Sequence, residues 1–143
     1  MCGRNVPVYK FLKTAYNTYV IEVSDEQFAD SIERAFDRLP KAHRNAVKNV
    51  AIVYADEPTP EQRVQLVLRS NQTLFGLYEG VPLSNRGGVT SYGPDKITIF
   101  KLPICMVVNT SEQLDEQVWH TLWHEVAHYF GLSHDDIHRR ESN

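Results

Sequence analysis

The stretch His124-Glu125-Val126-Ala127-His128-Tyr129-Phe130-Gly131-Leu132-Ser133-His134 constrains this chain more than any other, because it reads H-E-x-x-H-x-x-G-x-x-H. On a helix, two histidines four positions apart stand about 40° apart around the axis and roughly 6 Å along it. Both imidazoles can therefore meet at one point on one face, as two ligands of a single zinc ion do. A glutamate directly after the first ligand is placed to hold a water beside the metal rather than to bind the metal, and this is the role read for Glu125. Gly131 can take a left-handed conformation that ends the helix and turns the chain, which brings His134 back as the expected third ligand.

The residues before the motif supply the helix it needs. Ser111 reads as the cap of a long last helix, with Glu112 and Asp115 in its first turn. Leu114, Val118, Leu122, Val126 and Phe130 recur at helical spacing, and Trp119, Trp123 and Ala127 widen that apolar face. The metal motif is thus the C-terminal half of a buried helix. Of six histidines in the chain, five lie at or beyond residue 120, so imidazole is concentrated at that end.

Upstream, Ser24 and Gln27 form a capping box, and Asp25 and Glu26 suit the positive end of a helix dipole. Phe28, Ile32, Ala35, Phe36 and Leu39 then trace an apolar stripe up to Pro40. A second short helix is expected from Lys41 to Lys48, and the β-branched run from Asn49 to Ala55 reads as a buried strand. Thr59 caps a weaker helix over 61–69 that begins at Pro60. Thr73 to Tyr78 reads as a strand or extended segment with a glycine kink, and 79–94 as a Gly-, Pro-, Ser- and Asn-rich loop. Asp95 to Phe100 alternates as a half-buried strand does. Ile104 to Val108 fits either a strand or a helical turn. Residues 1–19 show aromatics without a period and read as an N-terminal extension, leaving 20–143 as one domain.

Composition narrows the class. At 143 residues, 42% hydrophobic and 23% charged, the chain suits one globular domain with a real core. A net charge of −3 gives no reason to expect nucleic acid or an anionic membrane as partner. Lys41, His43, Arg44 and Lys48 are read as a solvated helix face. Cys2 and Cys105 are too few for a disulfide framework, and two free thiols in a reducing compartment are expected. Arg4, Lys10 and Lys13 interrupt any signal-peptide core, and no run approaches the roughly 18 apolar residues of a membrane span. The expected setting is cytoplasmic.

A structural zinc site is usually closed by four protein ligands, often thiolates. Here three side chains and an adjacent acid leave a position open for water, which favours catalysis. Metal binding lowers the pKa of such a water, and Glu125 would take its proton and pass it to the leaving amine of a peptide. Asp135 competes with His134 for the third position, since carboxylate is also a zinc ligand. Asp135 or Asp136 could instead orient a ligand imidazole. His120, one turn before His124, reads as a polar contact at the cleft edge. Tyr92, Arg86 and His138 are available as oxyanion donors, and none is assigned.

The eleven-residue motif resembles the metzincin signature, but only nine residues follow His134 and none is the methionine of a metzincin turn. The chain more closely resembles the small bacterial zincin-like metallopeptidases. The likeness is carried by EVSDEQFADSIERAFDRLP, NVAIVYADEPTPEQ, LFGLYEGVPL, DKITIFKLPI and HEVAHYFGLS, over 20–138. It implies an α+β minimal zincin fold, a small mixed sheet packed with helices and an active-site helix near the C-terminus. It implies His124 and His128 as zinc ligands and Glu125 as the catalytic glutamate; members commonly place an aspartate where this chain has His134. By analogy with larger zincins, an edge strand would pair with an extended peptide substrate, and Ile97 to Phe100 is the strand expected to do so. The function expected is therefore a zinc-dependent peptide hydrolase. The alternative is a metal-binding interaction or regulatory protein without turnover.

Overall fold

A six-residue central strand and a nineteen-residue last helix fix the frame of the molecule. The computed structural model describes residues 11–12, 21–47, 49–81, 95–132, 135–136 and 139. In chain order the elements are β1 (Phe11–Leu12), α1 (Asp25–Arg38), α2 (Lys41–Ala46), β2 (Val50–Ala55), α3 (Pro60–Gln65), β3 (Gln72–Thr73), β4 (Gly76–Glu79), β5 (Asp95–Phe100), α4 (Lys101–Cys105) and α5 (Ser111–Tyr129). This is an α+β protein with a small mixed sheet. β5 lies in the middle, parallel to β2 and antiparallel to β4, so the order is β2-β5-β4. A separate antiparallel pair joins β1 to β3, with Phe11 opposite Thr73. Part of the N-terminal segment is thereby tied to the rest of the chain.

Local sequence explains most boundaries. Ser24 and Gln27 make the capping box at α1, and Thr59 and Gln62 make another at α3 with Pro60 at its first position. α3 stops at Gln65, short of the expected residue 69, and Val67 follows with φ +52°. A β-branched residue in that region is strained and cannot continue a helix. Ile104 falls in the helical turn α4, which settles the ambiguity left by its short apolar run. The cap of α5 is Thr110, not Ser111. The Thr110 hydroxyl accepts from the Gln113 N–H at 3.1 Å, while the Gln113 side chain accepts from the Asn109 N–H at 2.7 Å.

The sheet departs from expectation at two strands. β2 was expected to be buried, yet Ala51, Val53 and Tyr54 are exposed because it is an edge strand. β5 was expected to be half-buried and to present an edge to substrate. It does neither, because it has a partner strand on each side and helices or loops on both faces. Ile97 and Ile99 face a core formed with Phe28, Ile32 and Ala35 of α1 and Leu114, Val118, Leu122 and Val126 of α5. Phe100 faces a smaller cluster with Leu74 and Leu77, against which Leu66 and Leu68 pack. Covering both faces turns an alternating pattern into a buried strand.

α5 packs on α1, β4 and β5. Each fully buried Leu or Val on it contributes about 1.5–3 kcal/mol relative to exposure. Polar links lock the α1–α5 crossing. Asp115 accepts from the Ser31 hydroxyl at 2.6 Å and from Arg34 at 2.9 Å, and Arg38 reaches Glu116 at 2.8 Å. Arg34 holds the Asp115 carboxyl below the usual carboxylate range, chiefly through that hydrogen bond. His43, read as part of a solvated face, instead packs edge-on against Trp123 and Phe130, 5.2 Å from each ring. α2 thereby clamps the C-terminal half of α5. Cys105 is a buried free thiol whose pKa burial pushes up. No helix among the described residues is long and apolar enough to cross a membrane.

Candidate metal centre

The last turns of α5 are buried almost all round, from Leu122 on one side to Glu125, Val126 and Ala127 on the others. A polar group in such a place needs a reason. His124 and His128 are 1% and 8% exposed, and their rings stand edge to face with centroids 4.6 Å apart. The i, i+4 spacing has done what geometry predicts, bringing two imidazoles to one place on one helix face.

The helix then ends in a Schellman motif. Gly131 adopts φ +78°, its N–H donates to the His128 carbonyl at 2.8 Å, and the Leu132 N–H donates to the Ala127 carbonyl at 3.0 Å. The glycine stop read in the sequence is present, and it turns the chain directly after the second histidine. His134, the expected third ligand, lies outside the described residues, as do His138, Arg86 and Tyr92. Asp135 is exposed, and among the described residues no group of three His, Cys, Asp or Glu side chains converges. Asp136 pairs with Arg139. His120 is half exposed, 4.0 Å from Glu116, and rests edge-on against Trp119.

Glu125 is 4% exposed and points at β4. Its carboxylate accepts from the backbone N–H of Tyr78, and Oε2 is buried without a hydrogen-bond partner among the described residues. Burial pushes its carboxyl up to about 8, against a smaller opposing effect of the Tyr78 N–H. The strand pairing explains why that N–H is available. The Phe100 N–H donates to the Phe75 carbonyl at 2.7 Å, and residues of an antiparallel strand alternate in direction. Gly76 and Tyr78 therefore turn their backbone groups away from β5, and the Tyr78 N–H meets Glu125 of α5.

This contribution of β4 went unread in the sequence, where only a glycine kink was noted. The signal was there: a lone glycine inside a strand marks a close backbone approach. A Cβ on Gly76 would meet Thr121 Cγ2 at 2.7 Å and Glu125 Cγ at 3.2 Å.

The donor set fits a divalent metal. Two buried imidazoles supply nitrogens suited to borderline-soft zinc, and a nearby cation would compensate a buried carboxylate whose second oxygen has no donor among the described residues.

A mixed three-stranded sheet beneath a C-terminal helix that carries paired histidines and a buried acid defines a minimal zincin-like fold. A family model described as zincin-like metallopeptidase matches residues 47–143, and the chain belongs to that family. In fold it is similar to a conserved hypothetical protein from Thermus thermophilus, with a TM-score of 0.51 and 18% identity over 76% of this chain and 94% of that one. No protein of curated function matches it significantly.

Proposed function

We propose that the protein is a zinc-dependent peptide hydrolase in which His124 and His128 hold the metal, His134 completes the protein ligands and Glu125 is the general base. The observation that carries this reading is the meeting of two buried imidazoles at 4.6 Å beside a buried carboxylate on the same helix. Zinc, when bound, supplies a Lewis acid that polarises a scissile carbonyl and acidifies a water. Glu125 takes a proton from the attacking water as the new C–O bond forms, and delivers it to the amide nitrogen as the C–N bond breaks. The edge strand beside Glu125 is β4, rather than the central Ile97 to Phe100. Residues 20–143 would act as one catalytic unit, and the buried free thiol Cys105 suits the reducing cytoplasm.

The test uses two variants. His124→Ala with His128→Ala is expected to lose zinc, whereas Glu125→Gln keeps stoichiometric zinc and loses peptide hydrolysis by about 100-fold or more. Full activity in Glu125→Gln would sink the mechanism. Stoichiometric zinc in the wild type, with no cleavage of a broad peptide library, would favour the interaction protein instead.

A further inference from the structure

The contact between Gly76 and Thr121 lies one helical turn from the proposed base, and the chemistry above does not use it. Thr121 and Glu125 are four residues apart on α5, so they share the face that β4 crosses. Thr121 is 4% exposed, and its rotamer is fixed because its hydroxyl donates to the Gln117 carbonyl at 2.7 Å. That bond turns the methyl group towards β4, where a side chain on residue 76 would stand 2.7 Å from it. Real Cβ atoms do not come so close. The helix can therefore lie at this distance from the strand only because residue 76 has no side chain. Glu125, one turn on, reaches the Tyr78 N–H across the same gap.

We infer that Gly76 and Thr121 are positioning residues: the bare Gly76 backbone against the Thr121 methyl sets the helix-to-strand distance that fixes the Glu125 carboxylate on the Tyr78 N–H. The inference deepens the proposed function and rests on Glu125 as the base. It assigns β4 the task of a fixed donor to the Glu125 carboxylate, whose Oε2 is buried without a hydrogen-bond partner among the described residues. Holding a general base in its productive geometry is a large lever on rate, since a misplacement of about 1 Å costs on the order of 100-fold. The three atoms nearest to a Cβ on Gly76 belong to Thr121, Glu125 and Thr98 rather than to His124 or His128, so metal binding should respond less than the carboxylate.

The experiment compares wild type, Gly76→Ala, the double variant Gly76→Ala with Thr121→Ser, and Glu125→Ala. Serine keeps the hydroxyl bonded to Gln117 and removes the methyl that the new Cβ meets; the remaining contacts at 3.2 Å to Glu125 Cγ and 3.3 Å to the Thr98 carbonyl need only a few tenths of an ångström of give. The first readout is the Tyr78 amide resonance in the chelator-treated protein, with Glu125→Ala defining its position when no carboxylate accepts from it. Gly76→Ala is expected to move that resonance towards the Glu125→Ala position, and the double variant to return it. With zinc added, Gly76→Ala should bind one equivalent as the wild type does, with kcat about 10- to 100-fold lower and KM within about twofold, and the double variant should recover most of kcat.

A wild-type Tyr78 resonance and kcat in Gly76→Ala would overturn the inference. So would loss of zinc together with kcat that serine does not restore, because that is general loosening. If Gly76→Ala alone does not fold, the double variant decides: a Tyr78 resonance at the wild-type position supports the inference, and one at the Glu125→Ala position refutes it. The two proposals fail separately. The expected Tyr78 shifts without any peptide cleavage would leave the positioning standing and remove the hydrolase. Glu125-dependent cleavage with a Tyr78 resonance unmoved by Glu125→Ala would do the reverse.

Discussion

β2 and β4 are the two edge strands of one sheet, yet β2 leaves Val53 and Tyr54 40% and 39% exposed while β4 holds Leu77 and Tyr78 at 4% and 7%. The sequence reads the first as a buried strand and the second as a strand or extended segment with a glycine kink. Their difference comes from what lies beside them. β4 is packed under α5, with Tyr78 ringed against Tyr129 at 6.0 Å and its N–H given to Glu125. β2 pairs with β5 along its whole length and spends its exposed side chains on solvent. Burial in this small protein is thus concentrated where the histidine helix meets the sheet. A site that must hold two imidazoles and a carboxylate in place is built into a well-buried part of the molecule.

That contrast predicts a graded series of effects. The largest should follow from hollowing the packed side. Leu122→Ala, in the core beneath α5, is expected to cost about 2–5 kcal/mol in urea unfolding. A cost below about 1 kcal/mol would mean that α5 is not the keystone described here.

The next concerns pH in chelator-treated protein. The Glu125 carboxyl is raised from 4.5 to about 8 by burial. Below pH 4.5 the folded and unfolded states both hold the proton, and there is no penalty. Between 4.5 and 8 the unfolded state releases a proton that the folded state keeps, so stability falls as pH rises; above 8 the penalty is complete. Glutamine escapes it. The stability gap between Glu125→Gln and wild type should therefore widen in favour of glutamine between pH 5 and 8, by on the order of a few kcal/mol. Parallel curves for the two proteins would show that Glu125 is not buried as described.

Smaller again is the helix start. Thr110→Ala removes the cap of α5 and should cost about 1 kcal/mol, whereas Ser111→Ala should cost much less. Equal costs would return the cap to Ser111. On the exposed edge, Val53→Thr is expected to change stability by no more than about 0.5 kcal/mol. A loss as large as that of Leu122→Ala would erase the distinction between the two edges.

Much of this was legible from local chemistry alone. The capping box at Ser24, the cap at Thr59, the stripe of α1 and the periodicity of α5 are short-range patterns, and all appear where their residues put them. The paired histidines and the Gly131 stop were legible for the same reason, since one helix carries them. What could not be read depends on neighbours remote in sequence. Alternation in β5 gives its two faces but not that Leu66 and Leu68 close one of them, and so not that it is central. The charge pattern around His43 could not announce Trp123 and Phe130 from a helix some eighty residues away. Thr110 and Ser111 are both competent caps, and only the Gln113 side chain bridging to Asn109 separates them. Gly76 left a trace as a kink, but the residue it makes room for, Thr121, lies on another element altogether.

The most direct test of the central claim is anomalous diffraction at the zinc edge from crystals grown with the metal. The account predicts one strong peak about 2.0–2.1 Å from a ring nitrogen of His124 and of His128, a third protein donor at His134, and the Glu125 carboxylate near the peak but not bound to it. A peak away from both histidines, or no peak at saturating zinc, would contradict it.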